Sequence, residues 1–206
     1  MIVGLIDYGM GNLRSVRNAL VTLGARVDVV DRGEALADVD AVVVPGVGAF
    51  GEGMRGLRER GFVEALDREV RQRGKPMLGI CLGLQLLATR GYEQGEHSGL
   101  TWVAGDVRRF DRQTNLRIPH VGWNGVDGTG VLFRGIPRNT DFYFVHSFHF
   151  VLERPSEATA TANYGEPFVA ALERENILAV QFHPEKSHKY GLVLLKNFLD
   201  FASARA

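Results

Sequence analysis

The stretch Pro76-Met77-Leu78-Gly79-Ile80-Cys81-Leu82-Gly83-Leu84-Gln85 decides the fold. The apolar run 76–80 reads as a buried strand, and 82–89 reads as a helix that follows it at once. Between them Gly79-Ile80-Cys81-Leu82-Gly83 has the G-x-nucleophile-x-G spacing of a sharp strand-to-helix turn. The glycines have a steric reason. The turn brings neighbouring backbone so close that positions two before and two after the central residue have no room for a Cβ. Such a turn presents its central side chain above the carboxyl edge of a sheet, at a helix amino terminus whose dipole favours a thiolate. Cys81 is therefore a candidate nucleophile, with an inert buried cysteine beside two packing glycines as the plain alternative.

Outward from this turn the first half of the chain alternates strand and helix. Residues 2–6 read as a strand. Residues 12–23 read as a helix with Leu13, Val16, Leu20 and Leu23 on one face, stopped by Gly24. Strands follow at 26–30 and 40–44, the latter with three consecutive valines and so buried on both faces. Residues 62–73 read as a second helix, ended by Gly74. Strands alternating with helices imply crossover connections and a parallel sheet. From 100 to 173 the helices vanish and short strands at 107–110, 142–146, 148–152, 159–163 and 168–172 read as an appended antiparallel sheet. A further strand at 177–182 and a helix at 190–203, with Ser187 as its cap, close the chain. The fold class is α/β, flavodoxin-like, mostly parallel with helices on both faces and an antiparallel addition. Residues 1–206 are read as one domain.

Composition narrows the function classes. The 206 residues carry 24 basic and 24 acidic side chains, and this balance argues against bulk electrostatic binding to nucleic acid or an anionic membrane. The arginines at 55, 58, 60, 68, 71 and 73 alternate with glutamates and read as solvated helix faces. One cysteine permits neither an intrachain disulfide nor a multi-cysteine zinc site, and a reducing, cytoplasmic compartment is the default reading. The longest apolar stretch, 76–88, is interrupted by Gln85 and falls short of the ~18 residues of a membrane span. Residues 2–6 run directly into a strand, so the amino terminus reads as part of the fold rather than as a signal peptide. Twenty-five glycines exceed the usual share of ~7% and point to backbone held close to something.

A nucleophile needs a base. Of the six histidines, His183 stands just past the 177–182 strand, in Gln181-Phe182-His183-Pro184-Glu185. In extended chain, positions i and i+2 point the same way, so Glu185 can orient the imidazole of His183 while its other nitrogen faces a thiol. The order Cys, His, Glu along the chain disfavours an α/β-hydrolase. The backbone N–H of Leu82 is a candidate oxyanion donor. The glycine-rich run Pro45-Gly46-Val47-Gly48-Ala49-Phe50-Gly51 brings further N–H groups within reach of a ligand. Its G-x-G-x-x-G match follows the third strand rather than the first and has no acidic residue on a later strand end, so it is weak evidence for a dinucleotide site.

The triad and the elbow resemble those of the class I (triad-type) glutamine amidotransferases. Pro45–Phe50, Pro119-His120-Val121-Gly122-Trp123-Asn124, Tyr143-Phe144-Val145-His146-Ser147, Gln181–Ser187 and Leu195-Lys196-Asn197-Phe198 are similar to the glutaminase subunits of imidazole glycerol phosphate synthases. The likeness runs from the Tyr8–Asn12 loop to the last helix. It implies that Cys81 attacks glutamine to form a thioester, that His183 is acid and base, and that Glu185 orients it. It places oxyanion donors on Val47, after a peptide flip, and Leu82. It implies a substrate site at Gln85, at Glu93 near the α-ammonium, and at backbone groups around Gly48, His146 and Ser147. The implied partner is the cyclase subunit of that synthase, a (β/α)₈ barrel that uses the ammonia to make imidazole glycerol phosphate and an aminoimidazole carboxamide ribotide. Asn12, Trp123 and Lys186 are expected at that interface. No metal or organic cofactor is implied.

Each interface residue also has a bland role: Asn12 as a helix cap, Trp123 as core, Lys186 as a solvated lysine. Two positions depart from the pattern, Phe148 where tyrosine is common and Leu84 where methionine is common. Other readings remain open here. They are a glutaminase subunit of a different synthase, a stand-alone cysteine peptidase or γ-glutamyl hydrolase, and a silent scaffold or dinucleotide-binding module.

Overall fold

The computed structural model describes residues 1–110 and 116–205. Its first strands and helices are β1 (Ile2–Ile6), α1 (Leu13–Thr22), β2 (Arg26–Val30), β3 (Ala41–Val44), α2 (Phe50–Glu59), α3 (Phe62–Leu66), β4 (Met77–Ile80) and α4 (Leu82–Gln85). The strands β5 (Arg90–Gly91), β6 (His97–Ser98), β7 (Gly105–Arg109), β8 (His120–Gly128), β9 (Thr140–His146) and β10 (Phe148–Leu152) follow. Last come β11 (Ala158–Asn163), β12 (Pro167–Arg174), β13 (Ile177–Val180) and α5 (His188–Ser203).

Nine strands form one sheet in the order β2-β1-β3-β4-β13-β12-β11-β8-β9. The five from β2 to β13 are mutually parallel, as the strand–helix alternation requires. The remaining four continue the same sheet antiparallel. A second sheet, β10-β7-β5-β6, holds the other short strands. The expected antiparallel addition is thus shared between an extension of the main sheet and a small separate one.

Side chains alternate across the parallel strands as a period of two demands. Val43, Leu78 and Ile80 pack against Val16, Leu20, Leu194 and Phe198 of α1 and α5. Val42, Val44 and Met77 pack on the other face against Met54, Leu57, Phe62 and Leu66 of α2 and α3. Both cores are fully buried, and together they fix the carboxyl ends of β3, β4 and β13 at one edge.

The structure corrects several expectations. The helix after Cys81 is a single turn rather than 82–89. The carbonyls of Leu86, Leu87 and Ala88 accept hydrogen bonds of 2.9–3.0 Å from the backbone N–H groups of Leu100, Thr101, Trp102 and Val103, and this diverts the chain from helix. The 62–73 helix begins as α3 and continues in a wider π turn, Asp67–Gln72. Ser187 makes no side-chain cap of α5; its hydroxyl is used elsewhere. Four elements were not expected, the two-residue strands β5 and β6 and the longer α2 and β8. Helix α2 hides behind Gly51, Gly53 and Gly56, glycines that let it press against other chain. A Cβ at Gly53 would touch Leu82 and Leu86, and one at Gly56 would strike the Tyr8 carbonyl. Strand β8 carries three glycines in nine residues and forms because β9 pairs along seven of its positions.

Candidate active site

Cys81 sits between β4 and α4 with φ +54°, a strained conformation for a residue with a Cβ. The neighbouring backbone explains the flanking glycines. A Cβ on Gly79 would lie 2.8 Å from the Gly83 carbonyl oxygen, and a Cβ on Gly83 would overlap the carbonyl oxygen of Val44. The elbow is anchored on both sides. Cys81 N–H donates to Val180 O at 2.8 Å, and the N–H groups of Leu84 and Gln85 return to Cys81 O at 3.1 and 3.2 Å.

The base arrives by strand register. Val180 pairs with Ile80, so the chain leaving β13 runs beside the chain leaving β4. His183 follows three residues later, held by a 2.9 Å bond from its N–H to Tyr143 O. Its Nδ1 is 2.9 Å from Glu185 Oε1, and both side chains are almost fully buried. Its Nε2 is buried with no formed hydrogen bond. Burial works to lower the basicity of this imidazole. The charge of Cys81 and then the Glu185 carboxylate outweigh burial and hold the His183 pKa up at about 10.

Cys81 opens into a cavity of about 490 Å³ lined by Val47, Gly48, Gln85, Glu93, His146 and Ser147 among others. The expected substrate residues therefore meet around the thiol. Several are already partly engaged. Gln85 Nε2 donates to Phe148 O at 2.9 Å and to Gln181 Oε1 at 3.1 Å, so its Oε1 is the end left for a ligand. Glu93 accepts Phe50 N–H at 2.9 Å. That contact places a carboxylate of this chain on the amino terminus of α2, where a dinucleotide phosphate would otherwise sit. Both ring nitrogens of His146 are bonded, Nδ1 to Phe148 O at 2.8 Å and Nε2 to His120 Nδ1 at 3.0 Å. Both ring nitrogens are thus already engaged. The Phe148 carbonyl accepts from both Gln85 and His146.

The expected oxyanion pair is not assembled in this conformation. Leu82 N–H donates to Gly46 O at 3.3 Å, and that carbonyl belongs to the same peptide as the Val47 N–H. Of the expected interface residues, Asn12 caps α1 by accepting Ser15 N–H at 3.3 Å. Trp123 is not core: it is 47% exposed and stacks flat on His188 at 4.9 Å. Lys186 lies 5.8 Å over the Tyr143 ring at the cavity wall. Among the described residues no group of three or more His, Cys, Asp or Glu is placed to hold a metal ion, and no helix is long and apolar enough to cross a membrane.

The family model of class-I glutamine amidotransferases matches residues 4–201. This chain belongs to the class I glutamine amidotransferases. Among curated relatives of the amidotransferase, the imidazole glycerol phosphate synthase subunit HisH of Moorella thermoacetica is 48% identical, over 95% of this chain and 93% of that one. Subunit HisH 2 of Pseudomonas aeruginosa is 43% identical over 97% of this chain and 99% of that one. Among solved structures, a glutamine amidotransferase crystal structure superposes with TM-score 0.74 at 23% identity, covering 98% of this chain and all of the other. PurLQS from Thermotoga maritima superposes with TM-score 0.76 at 16% identity, covering 97% and 98%. At such identities these structures speak for the fold alone.

Three buried groups at the amidotransferase site escaped sequence reasoning. Ser187 Oγ donates to His183 O at 2.6 Å and accepts Tyr143 N–H at 3.0 Å, tying the base to β9. Gln181, fully buried, donates from Nε2 to Cys81 Sγ at 3.6 Å. Tyr8 places a buried, unbonded hydroxyl against Gly46, where a Cβ would collide with it. Burial, and then the charge of Cys81, raise the Tyr8 pKa, so its phenol stays protonated. Gln181 and Ser187 stand inside the motif that carries His183, and only strand register shows what they touch.

Proposed function

We propose that this chain is a glutaminase subunit, one amidotransferase domain. It hydrolyses glutamine to glutamate and ammonia and passes the ammonia to the cyclase subunit of imidazole glycerol phosphate synthase. The observation that carries this is Cys81 opening into a cavity of about 490 Å³ while the buried His183–Glu185 pair, 2.9 Å apart, is electrostatically coupled to it. The Cys81 thiolate attacks the side-chain amide carbon. The resulting oxyanion collapses as His183 gives its proton to the nitrogen, the C–N bond breaks, and ammonia leaves a thioester. Water then attacks the thioester, His183 takes its proton, and glutamate is released. Glu185 keeps His183 oriented throughout. Val47 and Leu82 supply the oxyanion donors once the Gly46–Val47 peptide turns and releases Leu82 N–H. Gly48, Gln85, Glu93, His146 and Ser147 hold the amino-acid end, Glu93 through its charge on the α-ammonium.

The partner reading is supported by relatives that are subunits of that synthase and by the exposed apolar side chains of Val121 and Trp123, two residues apart on β8. Asn12, Trp123 and Lys186 are assigned to the interface. The enzyme acts in the cytoplasm as a heterodimer, without metal or organic cofactor, nucleic acid or membrane. The test is glutamate release from glutamine by the chain alone and with the cyclase and its ligand. A slow rate alone and a large rise with the liganded partner is the expected result, since the oxyanion donor begins occupied. Equal rates would overturn the partner assignment. In the same pair, Cys81→Ala abolishes glutamine-driven synthesis, by ~10⁴-fold or more, and spares synthesis from added ammonia. Loss of both in a folded complex would contradict the division of labour.

A further inference from the structure

We propose that Gln181 is a second group holding the sulfur of Cys81, its amide N–H aimed at the thiolate by the hydrogen-bond chain behind it. The proposal rests on the glutaminase reading of this site and adds a residue to its machinery. Register delivers the side chain. Val180 pairs with Ile80 in parallel strands, so Gln181 is the residue that comes level with Cys81. Its own backbone N–H is fixed to Ala170 O at 2.8 Å. The side chain is completely buried and lies 3.6 Å from Sγ through Nε2.

Which end of the amide faces sulfur follows from its neighbours. The carbonyl oxygen of Phe148 can only accept. Gln85 approaches it at 2.9 Å, so that end of Gln85 is the NH₂ group. The same NH₂ meets Gln181 at 3.1 Å, so the facing end of Gln181 is its oxygen. The N–H end of Gln181 must then point at Cys81. The chain extends further: His146 Nδ1–H shares the Phe148 carbonyl at 2.8 Å, and His120 Nδ1–H serves His146 Nε2 at 3.0 Å. Turning the Gln181 amide over would set its NH₂ against the NH₂ of Gln85 and leave both buried groups unpaired.

A donor fixed on sulfur favours thiolate over thiol, because a hydrogen bond to an ionised group is worth more than one to a neutral group. It also sets the direction from which sulfur meets the substrate carbon. A merely structural Gln181 would satisfy Gln85 and do nothing to Cys81. Gln85 Nε2 has two N–H donors, one for Phe148 O and one for Gln181 Oε1, so Gln181 serves Gln85 through its oxygen and keeps its own N–H for Cys81.

The protein has one cysteine, and alkylation by iodoacetamide therefore reads Cys81 alone. The titratable groups coupled to it are His183 and Tyr8, with Glu93, His146 and Lys186 on the cavity wall, and all stay unchanged in the variants. The experiment is the pH profile of alkylation rate in wild type, Gln181→Met and Gln181→Asn. Met fills the volume without a donor, and Asn keeps an amide but withdraws it by one methylene. The midpoint is expected to move up by about one pH unit in each variant that melts cooperatively. An unmoved midpoint in either folded variant overturns the proposal. Alkylation needs neither glutamine nor partner, so the proposal survives or fails separately from the glutaminase reading. That reading fails if the wild-type complex releases no glutamate.

Discussion

Two sets of buried imidazoles lie within a few strands of each other and behave in opposite ways. His183 is held protonated to about pH 10. His120 and His146 are pushed down to about 4 and about 3, and His149 is lowered as well. Burial is the first cause in every case and has the same sign, since it always disfavours the charged ring. The neighbours differ. His183 has Cys81 on one side and Glu185 at 2.9 Å on the other. The other three are set in an aromatic cluster: His120 stacks on Tyr164 at 4.0 Å and on Phe144 at 4.9 Å, and His149 stacks on Phe110 at 4.4 Å. One region uses burial to strengthen a charge pair, and the other uses it to keep rings neutral and their hydrogen bonds directed. Depth alone does not set the protonation of a histidine: Cys81 and Glu185 together outweigh burial at His183, whereas the single carboxylate of Glu166, 3.6 Å from His149 Nε2, does not outweigh it there.

The contrast breaks most sharply at Glu185. Glu185→Gln keeps the shape and removes the anion, so His183 loses an upward contribution and moves toward the neutral group. Glutamine hydrolysis by the complex is expected to fall ~10²–10⁴-fold, the range for losing the orienting acid of a triad. The imidazole titration followed by NMR should shift down with it. An unchanged titration would mean that Cys81 alone sustains the charge and that Glu185 is only a packing group.

Ser187 tests the same contrast through position rather than charge. Its hydroxyl joins His183 O to Tyr143 N–H while nearly fully buried. Ser187→Ala leaves both backbone groups without that partner, at a cost of ~1–3 kcal/mol. The His183–Glu185 pair then loosens, and turnover should fall about tenfold with little change in the KM for glutamine. A stability loss with unchanged turnover would confine Ser187 to folding.

The difference between the two regions also marks what was legible in the sequence. The elbow could be read because its chemistry is local: Gly79 and Gly83 are required by clashes within and beside the turn itself. Glu185 could be read because it stands only two residues from His183, although the chain brings them together through a 3₁₀ turn at Pro184–Lys186 and not through the extended backbone expected. Gln181 could not be assigned, because its partner lies 100 residues away and is found only through the parallel register of β13 on β4. The histidine cluster was invisible for the same reason, being assembled across β8, β9 and β10. The glycines of β8 hide it from a propensity reading, and serine before a helix reads as a cap where Ser187 instead bonds His183 O and Tyr143 N–H. The lesson is that spacing reveals chemistry carried by one segment, while contacts across strands wait for the register.

The smallest expected effect concerns stability, and it separates the two regions by sign. A histidine whose pKa is lowered on folding binds fewer protons in the native state than in the unfolded one. Its contribution is present above the unfolded value near 6.5 and is lost as pH falls toward the folded value. The aromatic cluster therefore makes the protein weaker in acid, between about pH 6.5 and about 3. His183 does the reverse: its contribution is present below 6.5 and is lost as pH rises toward about 10. His149 is the place to isolate one limb. Its Nδ1 is buried without a partner, and its ring lies flat on Phe110 at 4.4 Å. His149→Phe keeps the stack and removes both the unbonded nitrogen and the titration. At pH 7 the change should be within about 1 kcal/mol, since an unsatisfied atom is lost along with the 3.6 Å approach of Nε2 to Glu166. In acid the slope of stability against pH should flatten by up to ~1.4 kcal/mol per pH unit, the limit for one proton. Urea midpoints at pH 4.5, 5.5, 6.5 and 7.5, round values chosen to bracket the histidine range, would read it. An acid limb identical to wild type would show that His149 takes up its proton in the folded state, and the division between charged and neutral imidazoles would then run through the cluster itself.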